Sequence, residues 1–137
     1  MTADTITVVT TVNAPLAQVW RAYTDPAHIM QWNFASDEWH CPHAESDLRV
    51  GGAFSYRMEA RDGSSGFDFY GTFTEIVPES RIAYDFGDRH ATITFLPEGD
   101  AVKVAVTFDP ETEYPLDMQR DGWQAILDNF ARHVHGG

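Results

Sequence analysis

The chain has 137 residues, 43% of them apolar and 13% aromatic, which suits one domain spanning residues 1–137 and argues against disorder. Asp and Glu number 21 against nine Lys and Arg, a formal net charge of −12, so nucleic acid and anionic membrane surfaces are poor partners: attraction to phosphate needs clustered cations. A single cysteine excludes an intrachain disulfide framework, no apolar run approaches the roughly 20 residues of a membrane span, and no signal peptide is visible, so a soluble cytoplasmic protein is expected.

Ile6, Val8, Thr10 and Val12 alternate with Thr5, Thr7, Val9 and Thr11, a β-branched run that predicts the first strand. Pro15 suits the first position of a helix, and Leu16, Val19, Trp20 and Tyr23 follow at helical spacing. Asp25-Pro26 ends that helix and starts a short second one to about Gln31, with Asp25 as N-cap. Trp32 to Ser46 shows neither period and is read as the longest loop. Asp47 to Val50 is read as a brief strand broken at Gly51-Gly52.

Phe54, Tyr56, Met58 and Ala60 then alternate with Ser55, Arg57 and Glu59. Asp62 to Gly66 is a hairpin loop, followed by a long strand from Phe67 to Val77 in which Gly71 marks a bulge or bend. Three more strands, Arg81 to Phe86, Arg89 to Leu96 and Ala101 to Phe108, are separated by Gly- and Pro-containing turns. From Tyr114 to Val134 the period becomes helical. Met118, Gly122, Ile126, Phe130 and Val134 recur every four residues with Trp123 and Leu127 beside them, while Asp117, Arg120, Asp121, Asp128 and Arg132 face away. Gly122 is read as a point of close backbone packing, with room for a ligand as the alternative.

One long helix cannot cover both faces of such a sheet. The expected fold class is therefore α+β, a curved antiparallel sheet gripping the last helix, with two short helices closing one end and a pocket enclosed between them.

Several ordered segments resemble a known family. Ala14-Pro15, Val19-Trp20, Thr24-Asp25-Pro26 and Trp32, then Asp47 to Phe54, Gly71-Thr72-Phe73 and Gly122 to Phe130, are similar to the heat-shock protein 90 ATPase activator homologue family of the START-like, or SRPBCC, superfamily. The resemblance covers nearly the whole chain. It implies a helix-grip fold, a seven-stranded antiparallel sheet around the C-terminal helix, with a cavity for lipids, sterols, polyketides or other apolar molecules. In eukaryotic co-chaperones of this family a second domain supplies much of the chaperone contact, and none is seen in this sequence. No residue matches a family catalytic motif.

The densest set of possible metal ligands is His40-Cys41-Pro42-His43 with Asp37 and Glu38 nearby, but it lacks any metal motif, and no metal or cofactor is expected. This loop is placed at the cavity mouth instead, with Trp32, Phe34, Trp39 and His40 as ligand contacts. Cys41 beside two histidines is read as a small unreactive residue, an activated thiol being the alternative. His133 and His135 are assigned to a frayed, solvated helix end, and Arg57 and Asp68 to the outer face. The inward set expected to line the cavity is Phe54, Tyr56, Met58, Phe69, Phe73, Tyr84, Trp123 and Phe130.

The leading functional expectation is a carrier, sensor or sequestering protein for a small apolar or aromatic molecule. The alternative is a cyclase-, aromatase- or hydrolase-like enzyme using an inward polar pair such as His40 with Asp37 or Tyr84 with His90. A chaperone ATPase co-regulator comes third, and a homodimer is a plausible assembly.

Overall fold

A computed structural model describes residues 5–136. Strand β1 (Ile6–Val12) is followed by helices α1 (Leu16–Thr24) and α2 (Pro26–Trp32). Six strands come next: β2 (Trp39–Ser46), β3 (Ala53–Ala60), β4 (Gly66–Val77), β5 (Arg81–Phe86), β6 (Arg89–Glu98) and β7 (Ala101–Phe108). Helix α3 (Leu116–Gly136) closes the chain. The strands form one antiparallel sheet in the order β1-β7-β6-β5-β4-β3-β2, curled into a half-barrel around α3. This is the helix-grip arrangement.

Alternation makes the concave face. Val102, Val104, Val106 and Phe108 of β7 and Ala91, Ile93 and Phe95 of β6 are all buried, and the residues that alternate with them face out. On β1 the buried partners are Ile6, Val8 and Val12. That strand is a sheet edge, and Gln124 of α3 covers part of it: its Nε2 donates to the Val9 carbonyl at 3.0 Å and its Oε1 accepts from the Val9 amide at 3.4 Å.

The helices are fixed by capping and by aromatic contacts. Asp25 accepts from the Ala27 amide as the N-cap of α2, with Pro26 in the first turn. Pro15 occupies the N-cap of α1 rather than the expected first helical position, its ψ of 145° being extended. Trp32 donates its indole N–H to the Ala22 carbonyl at 2.9 Å, and Asn129 of α3 donates to the Trp32 carbonyl at the same distance.

Five further expectations are corrected. The stretch from Trp39 to Ser46 is strand β2, not loop; it is an edge strand interrupted by a bulge between His40 and His43, where Pro42 can sit without a ladder amide. Asp47 to Val50 is a turn, not a strand, and Asp47 holds Arg49 at 2.8 Å across it. The irregularity in β4 lies between Phe73 and Glu75, two residues beyond Gly71. Gly71 is instead a close approach: a Cβ there would fall on the Asp85 carbonyl oxygen and 2.9 Å from two atoms of the Phe54 ring.

The inner stripe of α3 begins at Gln119, which is 8% exposed, whereas Met118 is 59% exposed. Gln119 earns its place because its amide accepts from the Glu111 amide and donates to the Glu111 and Tyr114 carbonyls, closing the loop before the helix. The helix end is not frayed at its histidines. His133 Nε2 lies 2.9 Å from His28 Nδ1 of α2, and His135 Nε2 accepts from the Asn13 amide at 2.9 Å.

Candidate functional site

The aromatic side chains divide into two clusters. At the helical end Trp20, Tyr23, Trp32, Phe95 and Phe130 meet edge-on or tilted at centroid distances of 5.0–5.5 Å. At the other end Phe54, Tyr56, Phe69, Phe73, Tyr84 and Phe86 pack together on β3, β4 and β5. Trp123 joins the second cluster from α3, stacking on Phe108 of β7 with centroids 4.0 Å apart and planes 11° off parallel.

Between the clusters lies a hollow of about 250 Å³. The helical side contributes Tyr23, Ile29, Trp32 and Asn33, and the sheet contributes Tyr56, Met58, Phe67, Phe69, Arg89 and Val106. Trp123, Ile126 and Leu127 of α3 form the remaining wall. An outer hollow of about 300 Å³ adjoins it through shared walls, Arg89, Trp123 and Ile126, and reaches Tyr114, Met118 and Gly122. Gly122 borders that space and a Cβ there would meet nothing within 4 Å, so the expected close packing is absent.

Five of the residues named as ligand contacts, Trp32, Tyr56, Met58, Phe69 and Trp123, lie on the wall of the inner hollow. Phe54, Phe73, Tyr84 and Phe130 point inward but are consumed in the core behind it, at 8% exposure or less. Phe34, Trp39 and His40 lie off the wall. Phe34 sits under the Arg61 guanidinium at 5.9 Å, Trp39 packs on the rim residue Phe67, and His40 of β2 faces Glu59 of β3 at 3.9 Å. The His40 to His43 segment is thus part of the sheet and not the mouth of the cavity. Sequence reasoning passed over Tyr23, Ile126 and Leu127 as wall residues although all three fall on helical apolar stripes. It also passed over Arg89, whose strand parity is that of buried Ala91, Ile93 and Phe95.

The polar pairs considered for catalysis are not assembled. His90 bonds Asp85 at 2.7 Å on the outer face, while Tyr84, one residue from Asp85, points to the interior. Arg57 pairs with Glu59 at 2.9 Å and Asp68 at 3.6 Å. Cys41 is buried, its thiol donates to the His43 carbonyl at 3.4 Å, and burial pushes its pKa up to about 11, which leaves it protonated and unreactive. Burial likewise holds the phenols of Tyr23 and Tyr56 well above their ordinary pKa, so both remain hydrogen-bond donors. Among the described residues no three His, Cys, Asp or Glu side chains converge as metal ligands, and no helix is long and apolar enough to cross a membrane.

Residues 13–135 match the family described as Activator of Hsp90 ATPase homolog 1-like protein. The chain is similar to the solution structure of an AHSA1-like protein from Aeromonas hydrophila, with 40% identity and a TM-score of 0.92, covering 97% of this chain and 93% of that one. A protein from Cytophaga hutchinsonii is 43% identical with a TM-score of 0.83, covering 96% and 92%. One from Chromobacterium violaceum is 27% identical with a TM-score of 0.80, covering 95% and 96%. No curated protein matches the chain.

Proposed function

The chain belongs to the Activator of Hsp90 ATPase homolog 1-like family, and from that membership and the geometry of its interior we propose that it binds a small, mainly apolar molecule between the curved sheet and α3. The observation that carries this reading is the composition of the inner hollow. Its wall draws aromatic and aliphatic side chains from both short helices, three strands and the gripping helix, and its few polar groups are Asn33, Arg89 and two protonated phenols. Ligand sites in general combine such an apolar wall with a small number of orienting polar groups. At about 250 Å³ the space is near the lower end of the usual few-hundred-Å³ range, so it suits a small aromatic or short aliphatic body better than a full lipid or sterol.

The reading predicts that apolar ligands stabilise the protein through this space. A thermal-shift screen of aromatic and aliphatic metabolites, run on the wild type and on Ile126→Trp, tests it. Ile126 borders both hollows, so a Trp there occupies the volume the ligand needs. Compounds should raise the melting temperature of the wild type and leave the variant at its own baseline. Equal shifts in both proteins would move binding elsewhere. Binding of a chaperone with no small-molecule response would favour a protein-interaction role.

A further inference from the structure

Arg89 opens β6 and points to the concave face, where it borders both hollows. Its position is fixed without a counter-ion. Nε donates to the Asp109 carbonyl at 3.0 Å, and the guanidinium carbon lies 4.6 Å from the centre of the Phe86 ring. The carboxylate of the same Asp109 accepts from the His90 amide instead at 2.9 Å, Asp85 is taken up by His90, and Asp88, the neighbour of Arg89 in sequence, makes no ion pair with it. Arg49, Arg57, Arg81 and Arg120 each hold a carboxylate, but no carboxylate among the described residues lies within 4 Å of Arg89. Glu111, which shares the outer hollow, makes no ion pair with it either.

Among the described residues Arg21, Arg61, Lys103 and Arg132 also lack a carboxylate partner, but it is Arg89 that borders the two hollows, and beside an apolar wall a charge gains most from a partner. With Nε engaged, the two terminal nitrogens present the planar fork that matches a carboxylate. Tyr23 and Tyr56 add phenol donors on the wall of the same hollow.

We propose that the molecule bound is an amphipathic organic acid, with its apolar body against Trp123 and Phe69 and its carboxylate held by Arg89. This rests on the ligand-binding reading above and names the chemical class.

Isothermal titration calorimetry with 1-naphthylacetate and its neutral analogue 1-naphthylacetamide tests it, on wild type, Arg89→Gln, Arg89→Lys and Ile126→Trp. The wild type should bind the acid at least about tenfold more tightly than the amide, as expected for a charge-assisted hydrogen bond. Arg89→Gln should abolish that preference by weakening the acid alone, and Arg89→Lys should keep part of it. Equal binding of acid and amide by the wild type, or a preference that survives Arg89→Gln, overturns the proposal. If Ile126→Trp then blocks both compounds, the cavity reading stands without it. Binding of neither probe at millimolar concentration overturns the acid proposal and counts against the cavity reading too.

Discussion

Two glycines give opposite expectations for the same substitution. At Gly71 a new Cβ would land on the Asp85 carbonyl oxygen, a backbone atom of the neighbouring strand, and 2.9 Å from two Phe54 ring atoms. Neither obstacle yields easily. Moving the carbonyl opens the pairing of β4 with β5, and the Phe54 ring is 3% exposed and held by Tyr56, Phe73 and Tyr84. Overpacking of this kind costs about 1–3 kcal/mol, and a backbone obstacle puts Gly71→Ala at the upper end. At Gly122 the Cβ meets nothing within 4 Å, so Gly122→Ala should gain the helix-propensity difference of about 1 kcal/mol. Urea unfolding followed by circular dichroism separates the two. With a slope of roughly 1.5 kcal/mol per molar, the midpoint should fall by about 1–2 M for Gly71→Ala and rise by about 0.5 M for Gly122→Ala. Shifts of the same sign, or a Gly71→Ala midpoint within 0.3 M of wild type on this roughly estimated scale, would refute the reasoning.

Burial, and secondarily the neighbouring His28, hold the His133 pKa below its ordinary value. The unfolded chain therefore takes up the proton first on acidification, so His133 contributes full stability above about pH 6.5 and loses it as the pH falls through the folded pKa. The urea midpoint between pH 7.5 and 5.5 should fall more steeply in wild type than in His133→Gln; parallel curves would count against the contact. With its thiol raised from 9.0 to about 11, Cys41 holds about 100-fold less thiolate, so labelling by a disulfide reagent at pH 7.5 should be roughly a hundredfold slower folded than unfolded. Removing the edge cover with Gln124→Ala should cost about 1 kcal/mol and speed hydrogen exchange of the Val9 amide. Unchanged exchange would show that the edge needs no such cover.

Elements with strong local chemistry were readable from sequence. β1 alternates β-branched residues cleanly, and Asp25-Pro26 carries its own cap. β2 was not readable because Trp39 to Ser46 has no β-branched residue and contains a proline; only pairing with β3 makes it a strand. Met118 misled because it is apolar, whereas polar Gln119 is drawn inward by three hydrogen bonds that depend on where the preceding loop runs. The inward parity of Phe54, Tyr56, Phe69 and Tyr84 followed from alternation. Which of them face empty space and which face one another depends on sheet curvature, and no local pattern encodes that. Arg89 shows the converse: its parity was legible, but a charged residue on a concave face runs against the usual expectation.

The central claim is that an apolar molecule occupies the space between the sheet and α3. It is tested most directly by methyl-labelled NMR of the protein with 1-naphthylacetate, reading intermolecular nuclear Overhauser effects. The account predicts contacts to the methyl groups of Met58, Val106, Ile126 and Leu127. Contacts confined to exposed methyls such as those of Leu116 and Leu96 would contradict it and place recognition on the outer surface.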